Sequence, residues 1–369
     1  MKIVRMAVAG AGIMGSSHAK SARASNRVEL TAVCDKNKEG AEKLAAELGA
    51  KAFFDADEMF KSGLVDAVII ATPHYFHTPL VVSALEHGIH ALTDKPIAVH
   101  KADALKMTAA AAKRPDLKFA AMFNQRTIEF YKKIKSLIDA GELGELKRVS
   151  WTVTDWFRTQ KYYNSGSWRA TWKGEGGGVL LNQCPHQLDL FQWFFGMPSK
   201  VTAFCRLGCY HKIEVEDDVT AYFEFPNGAS GVFTASTGEA PGTNRLEIAG
   251  DRGRLVVENS KILFNRTEIP VSEFCLTTEN MWGTPPLWNA EIPVTMDSAG
   301  QHQKIIQNFA DAILDGVPLT APGSEGVKSV ELANAMLYSS MKKQTVEFPL
   351  DAAAFETLLN ELIEKSPKK

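Results

Sequence analysis

The first 120 or so residues alternate short, almost wholly apolar segments with helix-like ones, and that alternation constrains the fold more than any other feature of the chain. "IVRMAVAG", "VELTAVCD", "VDAVIIATP", "HALTDKP" and "KFAAMFNQR" have strand composition and little polar alternation. Between them "SSHAKSARAS", "KEGAEKLAAELG", "HTPLVVSALEHG" and an alanine-rich stretch read as helices. A strand apolar on both sides is buried on both faces, which parallel sheets achieve by packing helices above and below. The sequence therefore predicts an α/β fold with a parallel sheet at its N-terminal end.

After residue 123 the pattern changes. "DDVTAYFEF" and "ASGVFTAST", then "RLEIAG" and "RLVVEN", alternate with period two and are joined by the turn residues "PNG" and "DRG". That is the signature of an antiparallel sheet with one covered face. "ELKRVSWTVTDW", "SKVTAFCRLG" and "TVEFPL" read as further strands, and "QHQKIIQNFADAILDG" and "GVKSVELANAMLYSSMKK" as amphipathic helices. Two domains are expected, residues 1–122 and 123–369, the second an α+β unit with a large open, mostly antiparallel sheet. A chain of 369 residues suits such a division.

A net charge of −2 provides no basic field for nucleic acid or an anionic membrane, so the expected partner is a small molecule. No stretch has the length of a membrane span, and Arg5 interrupts the N-terminal apolar run, which argues against a signal peptide. The five cysteines are scattered and offer no paired zinc spacing. Reduced thiols, a cytoplasmic location and no metal are the expectations.

"GAGIMG" follows the first strand and opens the first helix. Gly10 allows the tight turn, Gly12 lets the backbone approach a pyrophosphate, and Gly15 allows close helix packing. The helix start at Ile13 and Met14 offers free amides and a positive dipole end to phosphates. Asp35, twenty positions after Gly15, ends the second strand, where a carboxylate accepts the ribose hydroxyls of NAD and repels a 2′-phosphate. Lys36 beside it weakens that exclusion, so NAD is favoured over NADP. The position of Asp35 also suits a helix N-cap. This is a Rossmann dinucleotide-binding pattern. Lys95 of "TDKP" lies past the end of another buried strand, where ligands of open parallel sheets sit.

"GEGGGVLLNQCPHQLDLFQWFFG" places Asn182, His186 and Asp189 at i, i+4 and i+7, on one face if the segment is a single helix. Pro185 is tolerable there if a first turn begins nearby.

Together "AGAGIMG", "ATPHYFH", "TDKP", "GGGVLLNQCPHQLDLFQWFFG" and "EGVKSVELANAMLYSS" resemble the glucose–fructose oxidoreductase, inositol dehydrogenase and rhizopine catabolism (Gfo/Idh/MocA) family, over nearly the whole chain and in the family's order. The resemblance implies NAD(P)-dependent oxidation of a secondary hydroxyl of a sugar or cyclitol. It implies a catalytic lysine at Lys95 and a catalytic histidine at His186. It also implies a homodimer or homotetramer formed through the C-terminal sheet. Thr72, Pro73, His77 and Asp94 join the glycine loop in the expected cofactor site. Where the family motif carries an acid four residues before the histidine, this chain has Asn182. Asparagine can orient a hydroxyl but cannot take a proton, which leaves acid–base work to His186. Asp189 either holds the imidazole tautomer or anchors the helix. The pH profile is expected to show one ionisation in the imidazole range.

The preceding segment carries Arg158, Tyr163, Trp168, Arg169 and Trp172. Aromatic faces suit the C–H faces of a pyranose and arginines its hydroxyls, so these join Lys95, Asn182 and His186 in the expected substrate site. The reading is an NAD-dependent dehydrogenase of a sugar or glycoside, with the C3 hydroxyl of a glucoside as first candidate. Its alternatives are a glycosidase acting by transient C3 oxidation, a cyclitol (inositol) dehydrogenase, and a non-catalytic ligand sensor.

Overall fold

A computed structural model of the chain describes residues 2–295 and 297–366. The first sheet is built from β1 (Val4–Ala9), β2 (Val28–Cys34), β3 (Lys51–Phe53), β4 (Ala67–Ile70), β5 (His90–Thr93) and β6 (Phe119–Ala121). Every pair in it is parallel, in the order β3-β2-β1-β4-β5-β6. Helices α1 (Ile13–Arg23), α2 (Lys38–Leu48), α3 (Ala56–Lys61), α4 (His77–Glu86) and α5 (Lys101–Ala112) connect the strands. The order reverses between β1 and β4, so a crevice opens at their carboxyl ends. β4 is buried at every residue, as its unbroken apolar run requires. The sequence pattern misses β3, a three-residue strand with one buried side chain and no period of its own.

The second sheet has nine strands. Helix α6 (Glu129–Asp139) leads to β7 (Leu146–Val153), α7 (Gln160–Tyr163), α8 (Val179–Asn182) and α9 (Pro185–Phe195). Then follow β8 (Lys200–Leu207), β9 (Glu216–Glu224), β10 (Ser230–Ser236), β11 (Asn244–Gly250), β12 (Gly253–Glu258) and β13 (Lys261–Thr267). α10 (Val271–Thr277), β14 (Leu287–Ile292), α11 (Gln301–Asp315), α12 (Gly326–Lys342), β15 (Val346–Glu347) and α13 (Ala352–Lys365) complete the described chain. The order is β14-β13-β12-β11-β7-β10-β9-β8-β15, antiparallel except where β10 runs parallel to β7. β13 and β14 lie outside the strands read from sequence.

Alternation in β9 buries Val219, Ala221 and Phe223 and turns Thr220, Tyr222 and Glu224 outward. The buried face meets Leu188, Phe191 and Phe194 of α9 and Leu332 and Met336 of α12 in one core. In "GVFTAST" the same alternation sends Phe233 and Ala235 to that core, so the outward residues are Val232 and Thr234. The uncovered face instead carries Phe204, 70 % exposed, and Tyr222, 47 % exposed. After β14 the chain returns to the first domain, where Ile305, Ile306 and Phe309 of α11 join its core, before α12 and α13 pack on the second.

Candidate active site

The glycine loop is shaped by close backbone approach. Gly10 has φ +105°, and a Cβ on it would lie 2.5 Å from the Ala71 carbonyl oxygen; one on Gly15 would lie 1.8 Å from that of Gly10. A Cβ on Gly12 would meet nothing within 4 Å, so the loop faces open space there. α1 starts without a side-chain cap or an acid in its first turn, leaving its leading amides free for phosphate oxygens. Ile13 at its start is 86 % exposed, and Met14 is also exposed. Asp35 accepts the Ala11 amide at 2.6 Å through one oxygen and the Asn37 amide at 2.8 Å through the other. It does not cap α2; Asn37 does, accepting the Gly40 amide. Each Asp35 oxygen keeps a second lone pair for a ribose hydroxyl. Lys36 lies over the exposed ring of Phe76. At the end of β4, Pro73 is exposed and the buried Thr72 hydroxyl has no partner among the described residues. A dinucleotide fits these features: open space before the glycine turn, uncapped amides, an acid at the end of β2 and an unpartnered hydroxyl.

Two side chains expected beside the cofactor are turned inward. The ring nitrogens of His77 lie 2.9 Å from the Pro96 carbonyl and 2.8 Å from the Thr72 carbonyl, and the one that carries the proton donates, so the ring sits between two loops. Asp94 accepts the Lys95 amide at 2.8 Å and meets His18 Nε2 at 3.3 Å. Burial works against its charge, but His18 and Lys95 hold the Asp94 carboxyl far below the usual range.

Lys95 follows β5, and its peptide bond to Pro96 is cis. Its Nζ donates to the Asn182 carbonyl at 2.8 Å, bringing the cofactor domain's lysine onto α8. Burial lowers its pKa, opposed by Asp94 and Glu175. α8 is placed by the glycine run: a Cβ on Gly178 would lie 1.9 Å from the Glu216 carbonyl oxygen, and one on Gly176 2.0 Å from Val99. The buried Glu216 carboxylate accepts the Gly178 and Leu180 amides at 2.8 and 3.0 Å.

Asn182, His186 and Asp189 do not share one helix. α8 ends at Asn182, and α9 starts afresh at Pro185, which occupies its first turn where no amide is needed. The Asn182 side chain is committed to the protein. Its amide donates to Glu175, and its oxygen accepts from Tyr162 at 3.1 Å and Gln183 at 3.0 Å. Asp189 forms a bidentate pair with Arg126 at 2.8 and 2.6 Å and does not touch His186. Of the two roles expected for it, helix anchor is the one its contacts describe. His186 Nδ1 is buried without a partner among the described residues, and its ring meets Phe123 edge-on. Burial and then the Lys95 charge lower its pKa to about 3, so the imidazole is neutral throughout the neutral range. The ionisation expected near pH 6–7 is therefore displaced.

The aromatic segment divides. Arg169 stacks on Trp168 at 4.5 Å and Tyr162 at 4.7 Å, and Arg158 lies over Trp156 and Tyr162, all partly accessible. Tyr163 and Trp172 are core residues. Tyr163 hydrogen-bonds Thr237 at 2.8 Å with its ring against His211, and Trp172 packs beneath the loop, so neither is placed to hold substrate.

Residues 4–122 match the oxidoreductase family with an NAD-binding Rossmann fold, and residues 131–256 match the Gfo/Idh/MocA C-terminal domain. The chain belongs to the Gfo/Idh/MocA family. It is 25% identical over 350 residues to an inositol 2-dehydrogenase of Rhizobium meliloti, covering 93% of this chain and 98% of that one. It is 29% identical over 203 residues to a 2,7-anhydro-N-acetylneuraminate hydratase of Mediterraneibacter gnavus, 55% of this chain and 52% of the relative. The WlbA dehydrogenase of Chromobacterium violaceum, solved with NADH and UDP-GlcNAcA, superposes with a TM-score of 0.82 at 26% identity, covering 95% of this chain and 97% of that one. The chain is thus an NAD-binding oxidoreductase, with a Rossmann domain and a second domain built on a large mixed sheet. Among the described residues, no helix is long and apolar enough to cross a membrane, and no His, Cys, Asp and Glu cluster could hold a metal.

Sequence reasoning missed four polar residues of this region. Glu175 immediately precedes the glycine triplet, a position that could have marked it. Arg126 follows β6 and pairs with an acid 63 positions away, which no local period reveals. His18 on α1 and His302 on α11 lie with ring centroids 5.3 Å apart, joined only by the chain's return to the first domain.

Proposed function

We propose that the protein is an NAD-dependent dehydrogenase that oxidises a secondary hydroxyl of a sugar, glycoside or cyclitol. The observation that carries this reading is the convergence of Lys95, from the end of the parallel sheet, with the helix pair bearing Asn182 and His186. Bound NAD supplies the hydride acceptor. His186, neutral because of burial and the Lys95 charge, accepts the hydroxyl proton. Lys95 spends one N–H on the Asn182 carbonyl and keeps two to hold the substrate oxygen and stabilise alkoxide charge as it develops. Asn182 fixes the α8 backbone and Tyr162 rather than the substrate. Trp168 and Arg169, with Arg158 and Trp156, form the wall on which a pyranose face and its hydroxyls would rest. Asp35 favours NAD over NADP by its charge.

Incubating the protein with NAD and a panel of sugars, glycosides and inositols, with NADH followed by absorbance, tests the proposal. NADH formation with at least one member supports it, and none with any member removes it. Similarity to a hydratase favours one second reading: transient oxidation, with the C3 hydroxyl of a glycoside as first candidate, followed by elimination with NAD retained. Aglycone release without accumulated NADH distinguishes that outcome.

A further inference from the structure

The site contains a carboxylate to which the proposed chemistry gives no task. Glu175 is 2 % exposed and stands directly behind Asn182. One of its oxygens accepts the Ala170 amide at 2.6 Å, and the other accepts the Asn182 side-chain amide. Its nearest cation, Arg169, is 3.8 Å away and donates to the Tyr162 oxygen at 3.0 Å. An ionised carboxylate only accepts, so Asn182 must turn its NH₂ toward Glu175 and its oxygen toward Tyr162. The same Asn182 receives the Lys95 ammonium on its backbone carbonyl. One residue therefore joins a buried anion to the buried cation of the site.

We propose that Glu175 is a positioning residue that acts through Asn182: its carboxylate fixes the asparagine, whose carbonyl in turn aims the Lys95 ammonium. Charge at 175 and amide at 182 form a matched pair, which tolerates exchange but not duplication. The inference rests on the dehydrogenase reading for the task of Lys95, but not for the pairing itself. The charges of Asp94 and Glu175 favour the Lys95 ammonium and that of Arg158 opposes it. The Lys95 charge is also felt by His186, His74 and His302, each with a lowered pKa. Burial raises the Glu175 pKa, opposed by its hydrogen bonds from Ala170 and Asn182 and by the charges of Arg169 and Lys95, and its own charge acts on Glu216. Removing the Glu175 charge leaves Asp94 as the only anion beside Lys95 among these groups, while Arg158 still repels it.

Three variants test the pairing: Glu175→Gln, Asn182→Asp and the double substitution. In Glu175→Gln the alkaline limb of kcat/KM should move about one pH unit lower, because an opposite charge has gone from beside an ammonium. Asn182→Asp sets two carboxylates at hydrogen-bonding distance. Its melting temperature should fall by about 4 °C or more as pH rises past the carboxylate range, and activity about tenfold or more. In the double variant the introduced glutamine accepts the Ala170 amide and donates to the introduced aspartate. Stability and alkaline limb should return close to wild type. A wild-type alkaline limb in Glu175→Gln overturns the proposal, as does a double variant no more stable than Asn182→Asp. Absence of NADH formation by the wild-type protein counts against the dehydrogenase reading alone, because the melting series still decides the pair.

Discussion

Replacing Asp189 with Asn separates a helix anchor from a catalytic orienter. Arg126 and Asp189 are each 1 % exposed and meet through two short hydrogen bonds, and the guanidinium lies between Phe123 and Trp193. Removing one charge from such a pair leaves the other buried, a loss of about 3–5 kcal/mol. Glu325 still reaches Arg126 at 2.5 Å and is a third exposed, so the loss should fall at the lower end, about 3 kcal/mol. That lowers the melting temperature by about 4–6 °C. Calorimetry on the wild type and Asp189→Asn measures it, and kcat/KM against pH measures any effect on His186. The profile should keep its shape, because Asp189 does not touch the imidazole. Replacing both Arg126 and Asp189 with leucine should recover much of the lost stability, since buried pairs rarely outdo apolar packing. An unchanged melting temperature together with an altered pH profile would refute the anchor assignment.

Asp35→Ser should weaken NAD about tenfold to a hundredfold and NADP much less, by titration calorimetry; a wild-type protein that binds NADP as well as NAD contradicts the role given to Asp35. Gly178→Ala would drive a methyl into the Glu216 backbone carbonyl. The fold should lose about 1–3 kcal/mol and turnover should drop as α8 shifts, whereas a neutral variant would show that the close approach is not needed. The uncovered sheet face with Phe204 and Tyr222 should join a second copy, so sedimentation at micromolar concentration should show a dimer or tetramer that Phe204→Glu weakens. A monomeric wild type ends that expectation.

Much of the first domain was legible because its signals are local. Fully apolar strands, the glycine turn and the acid at the end of β2 each lie within one βαβ unit, and the parallel order follows from burial on both faces. The second sheet was legible where turns join neighbouring strands, as in β9 with β10. It was not at β14, whose pairing with β13 closes over a long excursion, nor at β13, which a tight turn at Asn259–Ser260 joins to β12 without the usual glycine. In the site, spacing alone put Asn182, His186 and Asp189 on one face, but the backbone breaks before Pro185 and sends Asp189 to Arg126. Tyr163 and Trp172 share the composition of the accessible aromatics and differ only in which side of the loop they occupy, a tertiary property. Glu175 owes its importance to its hydrogen bond with Asn182, across the glycine run.

The central claim is that His186 is a neutral base held beside a protonated Lys95. The pH dependence of kcat/KM for the wild type and His186→Ala, with NAD affinity measured in parallel, tests it most directly. A His pKa depressed to about 3 leaves no protonation event in the ordinary imidazole range. The wild-type profile should show no acid limb of the ordinary imidazole kind and should fall at alkaline pH as Lys95, its pKa lowered by burial, loses its proton. His186→Ala should reduce kcat/KM by about 10²–10⁴-fold with NAD affinity unchanged. A variant with undiminished kcat/KM, or a wild-type acid limb near pH 6.5 that the substitution leaves in place, would contradict the account.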